Sequence, residues 1–251
     1  MTPAEVRDAV MAAVRDAVDA GELTADVPVE VPLSSAAAGE YRTPVALRLA
    51  AAQRRPGTEV ARVIAGRLAG RPGLGAVRVS GPGFLTIAVR RPGELAAGIV
   101  AAGSSYGRVE GVTLAGGWPD RPRTFDNPGF MVRYAYARAA AIGRRAADLG
   151  IAMGDPGLLK EPEEGTLLAL LAEQPGRAEQ AARERDASPL QHHLERLADA
   201  YHRVYERCPA LPSGAEEPGA VHAARRTLAE AVRIALGNGL KMIGESPRER
   251  I

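Results

Sequence analysis

The chain has 251 residues, 46% hydrophobic and 25% charged, an ordinary globular balance and enough length for two modest cores. No apolar run approaches the roughly 20 residues needed to span a bilayer, and a formal net charge of +2 excludes an indiscriminate polycation. A single cysteine, Cys208, excludes an internal disulfide and leaves no second thiolate to share a zinc. The first residues mix Arg7 and Arg15 with Glu5, Asp8, Asp16 and Asp19 and contain no apolar h-region, so they do not read as a signal peptide and the expected address is the cytoplasm.

Residues 4–20 set Val6, Val10, Ala13, Val14 and Val18 at helical spacing, behind Thr2 as cap and Pro3 at the first helical position. VPVEVPL at 27–33 alternates Val27, Val29, Val31 and Leu33, and its prolines predict an edge strand. Thr43 then caps a helix that starts at Pro44 and carries Val45, Leu47 and Leu49. Pro56 opens another through Val60, Val63, Ile64 and Leu68. GAVRVSGPGFLTIAVR places Val77 and Val79 before a Gly-Pro-Gly break and Leu85, Ile87 and Val89 after it, which predicts two strands joined by a tight turn. PGELAAGIVAAG adds a short helix and closes a small α+β domain, an antiparallel sheet with helices, over residues 1–106.

Residues 107–126 are rich in Gly, Pro and charge, with Trp118 their largest apolar group, and read as a linker. From Asn127 onward no strand pattern recurs. FMVRYAYARAAAIGRRAADLG, GTLLALLAEQ, GRAEQAARERD, SPLQHHLERLADAYHRVYERC and GAVHAARRTLAEAVRIALGNGL all look helical. Periodicity puts Phe130, Tyr134, Ala137 and Ala141 on the apolar face of the first. It puts Leu190, Leu194, Leu197, Tyr201 and Val204 on that of the fourth, and Leu228, Ala231, Val232 and Ala235 on that of the fifth. Residues 127–251 are therefore expected to be an all-α helical bundle, and the whole chain is of the α+β class.

Residues suited to catalysis are sparse. His192, His193, His202 and His222 form no HExxH or His-x-His arrangement, and no carboxylate or cysteine completes a metal set, so they are assigned neither catalysis nor metal. GRPGLG at 70–75 lacks a GK[ST] ending and leads into a strand, which makes it a turn and not a phosphate loop. No Walker loop, Rossmann fingerprint or nucleophile elbow occurs, and no cofactor is expected.

GEYRTPVALRLA at 39–50, PGTEVARVIAGRLA at 56–69 and VRVSGPGFLTIAV at 77–89 together resemble the amino-terminal additional domain of arginyl-tRNA synthetases. The patterns there are close to GDYATNxALxLA, a Pro-led helix and GPGFINF. SSYGR at 104–108 resembles the segment just before that family's ATP-binding HIGH region, where the likeness stops. It resumes at DNPGFMVRYAYAR, 126–138, which is similar to NPxFYVQYAHAR. From there it runs to the end through LERLADAYHRVYERCP and ARRTLAEAVRIALGNGLKMIGESPRERI, which is similar to the family's DALR-type anticodon-binding domain ending in GLDLLGxxxPERM. KMIGES at 241–246 shares only its first two residues with the KMSKS loop of class I synthetases and follows a helix, so it is no ATP loop.

The resemblance implies a paralogue without the catalytic domain, in which residues 107–126 replace that domain. It implies that Gly83, Phe84 and Thr86, the last where the family has asparagine, meet a base of the tRNA D-loop. It assigns Arg133, Tyr134, Tyr136 and Arg138 on the first helix of the second domain, and Arg248, Arg250 and Ile251 in the tail, to the anticodon arm. Glu40 and Pro44 stand for the family's aspartate and asparagine, Arg133 and Tyr136 for glutamine and histidine, and Ile251 for methionine. Six arginines against two aspartates in 121–148, and eight acidic against four basic residues in 155–186, give the second domain one basic and one acidic side. The implied partner is tRNA, arginine-accepting, together with a synthetase or another tRNA-using enzyme; no membrane is implied. The alternative is a protein–protein adaptor that keeps the synthetase-derived fold and docks on a synthetase or another enzyme without RNA.

Overall fold

The computed structural model describes every residue except Ala25, Val29 and Asp120. The chain divides into two compact units, Met1–Pro92 and Gly93–Ile251.

The first unit opens with helix α1, Pro3–Asp19. Its capping box pairs the Thr2 hydroxyl with the Glu5 amide (3.3 Å) and the Glu5 carboxylate with the Thr2 amide (2.6 Å). Val6, Val10, Ala13, Val14 and Ala17 form its buried stripe. Strands β1 (Ser34–Ala37) and β2 (Glu40–Thr43) form a hairpin, and helices α2 (Val45–Gln53) and α3 (Gly57–Leu68) follow. A second hairpin, β3 (Leu74–Ser80) and β4 (Phe84–Val89), completes an antiparallel sheet of order β1-β2-β4-β3. Tyr41, Leu85, Ile87 and Val89 project from one face of the sheet into the core with Val60, Ile64 and Leu68 of α3 and Val10 and Val14 of α1.

The strand expected at 27–33 is absent among its described residues, and β1 starts after it. Pro28 and Pro32 supply no N–H for a ladder, and Val31 is buried; Val29 lies outside the described residues. Thr43 is the last residue of β2, and its hydroxyl accepts from the Val45 amide at 3.2 Å, so α2 begins one residue later than expected.

The second unit contains α4 (Glu94–Ala102), α5 (Pro128–Asp148), α6 (Pro162–Glu184), α7 (Ser188–Arg207) and α8 (Ala220–Met242). α8 is the central helix and packs against α4, α5, α6 and α7. Leu190, Leu194, Leu197, Tyr201 and Val204 of α7 and Leu228, Ala231, Val232 and Ala235 of α8 are buried. α4, which the sequence grouped with the sheet, belongs to this unit.

GTLLALLAEQ and GRAEQAARE of the next segment, read separately from sequence, fall in the single helix α6, which has Pro175 inside it and ends at Glu184. A proline there frees the carbonyl of Leu171, four residues back. The Tyr106 hydroxyl donates to that carbonyl at 2.7 Å, so the break is repaired from outside the helix. Described residues of the 107–126 segment pack onto the bundle. The Leu114 amide donates to the Met242 carbonyl (2.7 Å), the Trp118 indole N–H to Glu195 (3.0 Å) and the Trp118 amide to Glu245 (3.0 Å). Among the described residues no helix is long and apolar enough to cross a membrane, and no group of three His, Cys, Asp or Glu side chains could hold a metal ion.

Candidate nucleic-acid interface

In the first unit, alternation along β4 decides what is presented outward. Leu85, Ile87 and Val89 are buried, so Phe84 and Thr86 point to the opposite face and are half-buried there. Strand register puts Arg42 of β2 and Arg78 of β3 on either side of Thr86. The Arg42 guanidinium carbon stands 4.2 Å from the Phe84 ring centroid, a cation–π contact. Arg78 is ion-paired to Glu40 at 2.8 Å. Gly83 is buried at φ +137°, and a Cβ there would come within 2.6 Å of the Gly57 carbonyl carbon. Glycine is required because the turn lies directly on the start of α3. Gly83 thus sets the turn, Phe84 and Thr86 present their side chains, and Arg42 and Arg78, absent from the sequence-derived set, join them.

In the second unit the sequence-derived residues divide. Arg133 is committed to the protein: its guanidinium grips Glu245 through Nε (2.8 Å) and Nη2 (2.7 Å) and donates to the carbonyls of Trp118 and Pro119. It clamps the 107–126 segment to the tail. Tyr136 is 6% exposed and lies on α8, its ring edge where a Gly237 side chain would be. Both side chains are engaged within the unit. The fork of Arg133 is occupied by a bidentate carboxylate 112 residues away in sequence.

The buried face of α5 keeps Ala137 of the expected one but is otherwise turned from it. Val132, Ala135, Tyr136, Ala139, Ile142 and Ala146 face the bundle, and Phe130 and Tyr134 are half-exposed. These two rings stack at 5.5 Å, with Phe125 edge-on to both and 54% exposed. Arg138 lies over Tyr134 (4.5 Å) and Tyr205 (4.3 Å), and its Nη1 donates to His202 Nδ1 at 3.1 Å. His202 in turn donates through Nε2 to the Met131 carbonyl at 3.1 Å, which sets the tautomer; its burial holds the imidazole below its usual range, and the carbonyl opposes that shift. Tyr134 and Arg138 therefore belong to a half-exposed aromatic and cationic cluster with Phe125 and Phe130, backed by the buried His202, which the sequence did not disclose. Arg248, Arg250 and Ile251 are exposed in a tail held by Glu245 and by Glu249, which pairs with Arg144 at 2.9 Å.

Residues 4–89 match the family model described as the arginyl tRNA synthetase N terminal domain, and residues 132–251 match the DALR anticodon binding domain. The chain belongs to the arginyl-tRNA synthetase family. A curated relative, an arginine–tRNA ligase of Clavibacter sepedonicus, is 43% identical over 131 residues, 51% of this chain and 24% of that protein, so the match spans about a quarter of its length. Among solved structures, Thermus thermophilus arginyl-tRNA synthetase aligns with a TM-score of 0.44 at 26% identity, over 51% of this chain and 22% of that one. A putative arginyl tRNA synthetase from Campylobacter jejuni aligns with a TM-score of 0.41 at 17% identity, over 52% and 28%. The sheet face around Phe84 lies within the region matched to the family's N terminal domain, and the α5 cluster and tail lie in or beside the anticodon binding domain. No catalytic domain of the family is present in these 251 residues.

Proposed function

We propose that the chain is a non-catalytic tRNA-binding protein. Its first unit holds the D-loop at the outer corner of tRNA, its second holds the anticodon arm, and an arginine-accepting tRNA is the expected ligand. The observation that carries this reading is the pairing of the two family domains with only residues 90–131 between the matched regions, a stretch shorter than even a small domain. Both units also offer the group types that single-stranded RNA favours. Arg42, Phe84 and Thr86 share one open face, and Tyr134, Arg138 and Phe125 share one cluster. The protein then acts as a holder or competitor for tRNA, or delivers it to a synthetase or another tRNA-using enzyme.

Purified protein should bind tRNA with an affinity that falls steeply with salt, at a log–log slope of about −3 to −5 for a handful of phosphate contacts. It should neither exchange pyrophosphate into ATP nor aminoacylate tRNA. Filter binding across a salt series and the two activity assays test this directly, and charging of tRNA by the isolated protein would defeat it.

A second reading is favoured by one observation. Arg133 and Tyr136 are engaged inside the second unit, so that unit's surface also suits an adaptor that docks on a protein and leaves RNA alone. Undetectable tRNA binding at low salt selects the adaptor.

A further inference from the structure

We propose that Arg42 is the principal RNA contact of the first unit: a nucleobase stacks on its guanidinium, and Phe84 backs that guanidinium without receiving the base itself. This inference rests on the tRNA-binding reading and assigns the contact on the sheet face. Three observations support it. First, the register Arg42↔Thr86↔Arg78 sets two guanidinium groups and a hydroxyl in a row across β2, β4 and β3, with Phe84 two residues along β4 on the same face. Second, the Arg42 guanidinium carbon is 4.2 Å from the Phe84 centroid, so a cation already occupies a face of the ring that a stacking base would need. Third, both arginines are exposed, but Arg78 is ion-paired to Glu40 at 2.8 Å whereas Arg42 pairs with no carboxylate among the described residues.

A guanidinium is planar, weakly hydrated and cationic, and it stacks on π-systems through either face. Held against Phe84, Arg42 loses less rotamer freedom when a base arrives, because the ring has already restricted its side chain. Its N–H edge remains free for an adjacent phosphate, and the Thr86 hydroxyl beside it can meet a base edge as donor or acceptor. Such a shelf reads planarity and charge more than base identity. Arg42 falls at the alanine of the GDYATNxALxLA pattern, so the shelf is a feature of this chain and not of that pattern.

The test compares the full chain with R42A, R42K and F84L for binding to fluorescently labelled tRNA by anisotropy, at low salt and across a salt series. Thermal melts of each variant should match the unmodified protein for the Arg42 changes, since that side chain is exposed. R42A should weaken binding about 5- to 100-fold. R42K should stay close to R42A in affinity while keeping the original salt slope, because an ammonium supplies charge but no plane. F84L, which keeps an apolar support, should cost less than R42A. Full restoration by R42K would mean a plain phosphate contact and overturn the stacking assignment. F84L weaker than R42A would return the base to the phenylalanine and overturn it equally. Unchanged binding by R42A, with the unmodified protein binding well, defeats this proposal alone. Failure of the unmodified protein to bind tRNA defeats the tRNA-binding reading and this inference with it.

Discussion

Glu164 and His193 are both essentially buried, and they define opposite residue-level situations. The Glu164 carboxylate is 1% exposed and fully used: it accepts from the Lys160 and Glu161 amides at 2.8 and 3.0 Å and from Arg225 Nε at 2.7 Å. Replacing Glu164 by Ala leaves Arg225 with an uncompensated charge at a site where it is itself mostly buried, and should cost about 3 to 5 kcal/mol, read as a large fall in the urea midpoint. His193 is 1% exposed, and neither ring nitrogen has a hydrogen-bond partner among the described residues. Burial first, then the nearby Arg196 and Arg177 guanidinium groups, push its pKa down to about 3; the Glu173 carboxylate lies 4.0 Å away. The unfolded imidazole takes up its proton as pH falls through about 6.5, whereas the folded one does so only near pH 3. The unfolded state therefore binds more protons between these values, and stability falls as pH drops through that window. From pH 6.5 to pH 5 this group should account for a loss of about 2 kcal/mol. His193→Leu should flatten the dependence and leave stability at pH 7 equal or higher, since two unpaired polar atoms are removed. Urea melts at pH 7 and pH 5 decide it, and an unchanged difference between the two pH values in the variant would assign the pH sensitivity elsewhere.

At the level of elements, the repair of α6 at Pro175 gives the sharpest expectation. The Leu171 carbonyl that proline leaves without a helical partner accepts from Tyr106, which is 6% exposed. Tyr106→Phe keeps the ring and removes the donor, so it should destabilise by about 1 to 3 kcal/mol, measured by denaturant unfolding. A Tyr106→Phe protein as stable as the parent would mean that water substitutes at that carbonyl. Elements governed by neighbours in sequence were legible beforehand. The α1 cap needs only Thr2, Pro3 and Glu5, and the β3–β4 turn needs only its Gly-Pro-Gly. Elements governed by distant partners were not. The alternation at 27–33 could not reveal that strand pairing begins only at Ser34, which depends on the partner strand β2. The alanine-rich α5 offers too little apolar contrast to set its phase, and so Tyr136 and Tyr134 exchanged their expected environments. Outward-facing Phe84 and Thr86 were foreseeable from alternation against Leu85 and Ile87; Arg42 and Arg78 beside them depend on register, which residue types alone do not give.

For the whole molecule, the question is whether both units hold one ligand, and the tail allows it to be asked cleanly. Pro247 to Ile251 carries Arg248 and Arg250, both exposed, and one exposed ion pair, Glu249 with Arg144. The contacts that fasten the 107–126 segment to the bundle lie upstream, at Glu245, and survive deletion of the last five residues. The truncated protein should therefore melt close to the parent, since an exposed ion pair contributes little. Its tRNA affinity should nevertheless fall. Removing two phosphate-seeking charges should make the salt slope shallower by about one to two units, whereas loss of Ile251 alone would lower affinity at constant slope. Adding R42A to the truncation extends the comparison to the other unit. Sites in separate units with no shared partner contribute independently, so their effects on log affinity should add if one tRNA engages both. If the tail is idle, the truncated chain will bind like the parent with the same slope, and R42A will account for the whole loss in the double variant. That outcome takes the tail out of the RNA interface and leaves the sheet face of the first unit, with the Phe125, Tyr134 and Arg138 cluster of α5, to carry the RNA.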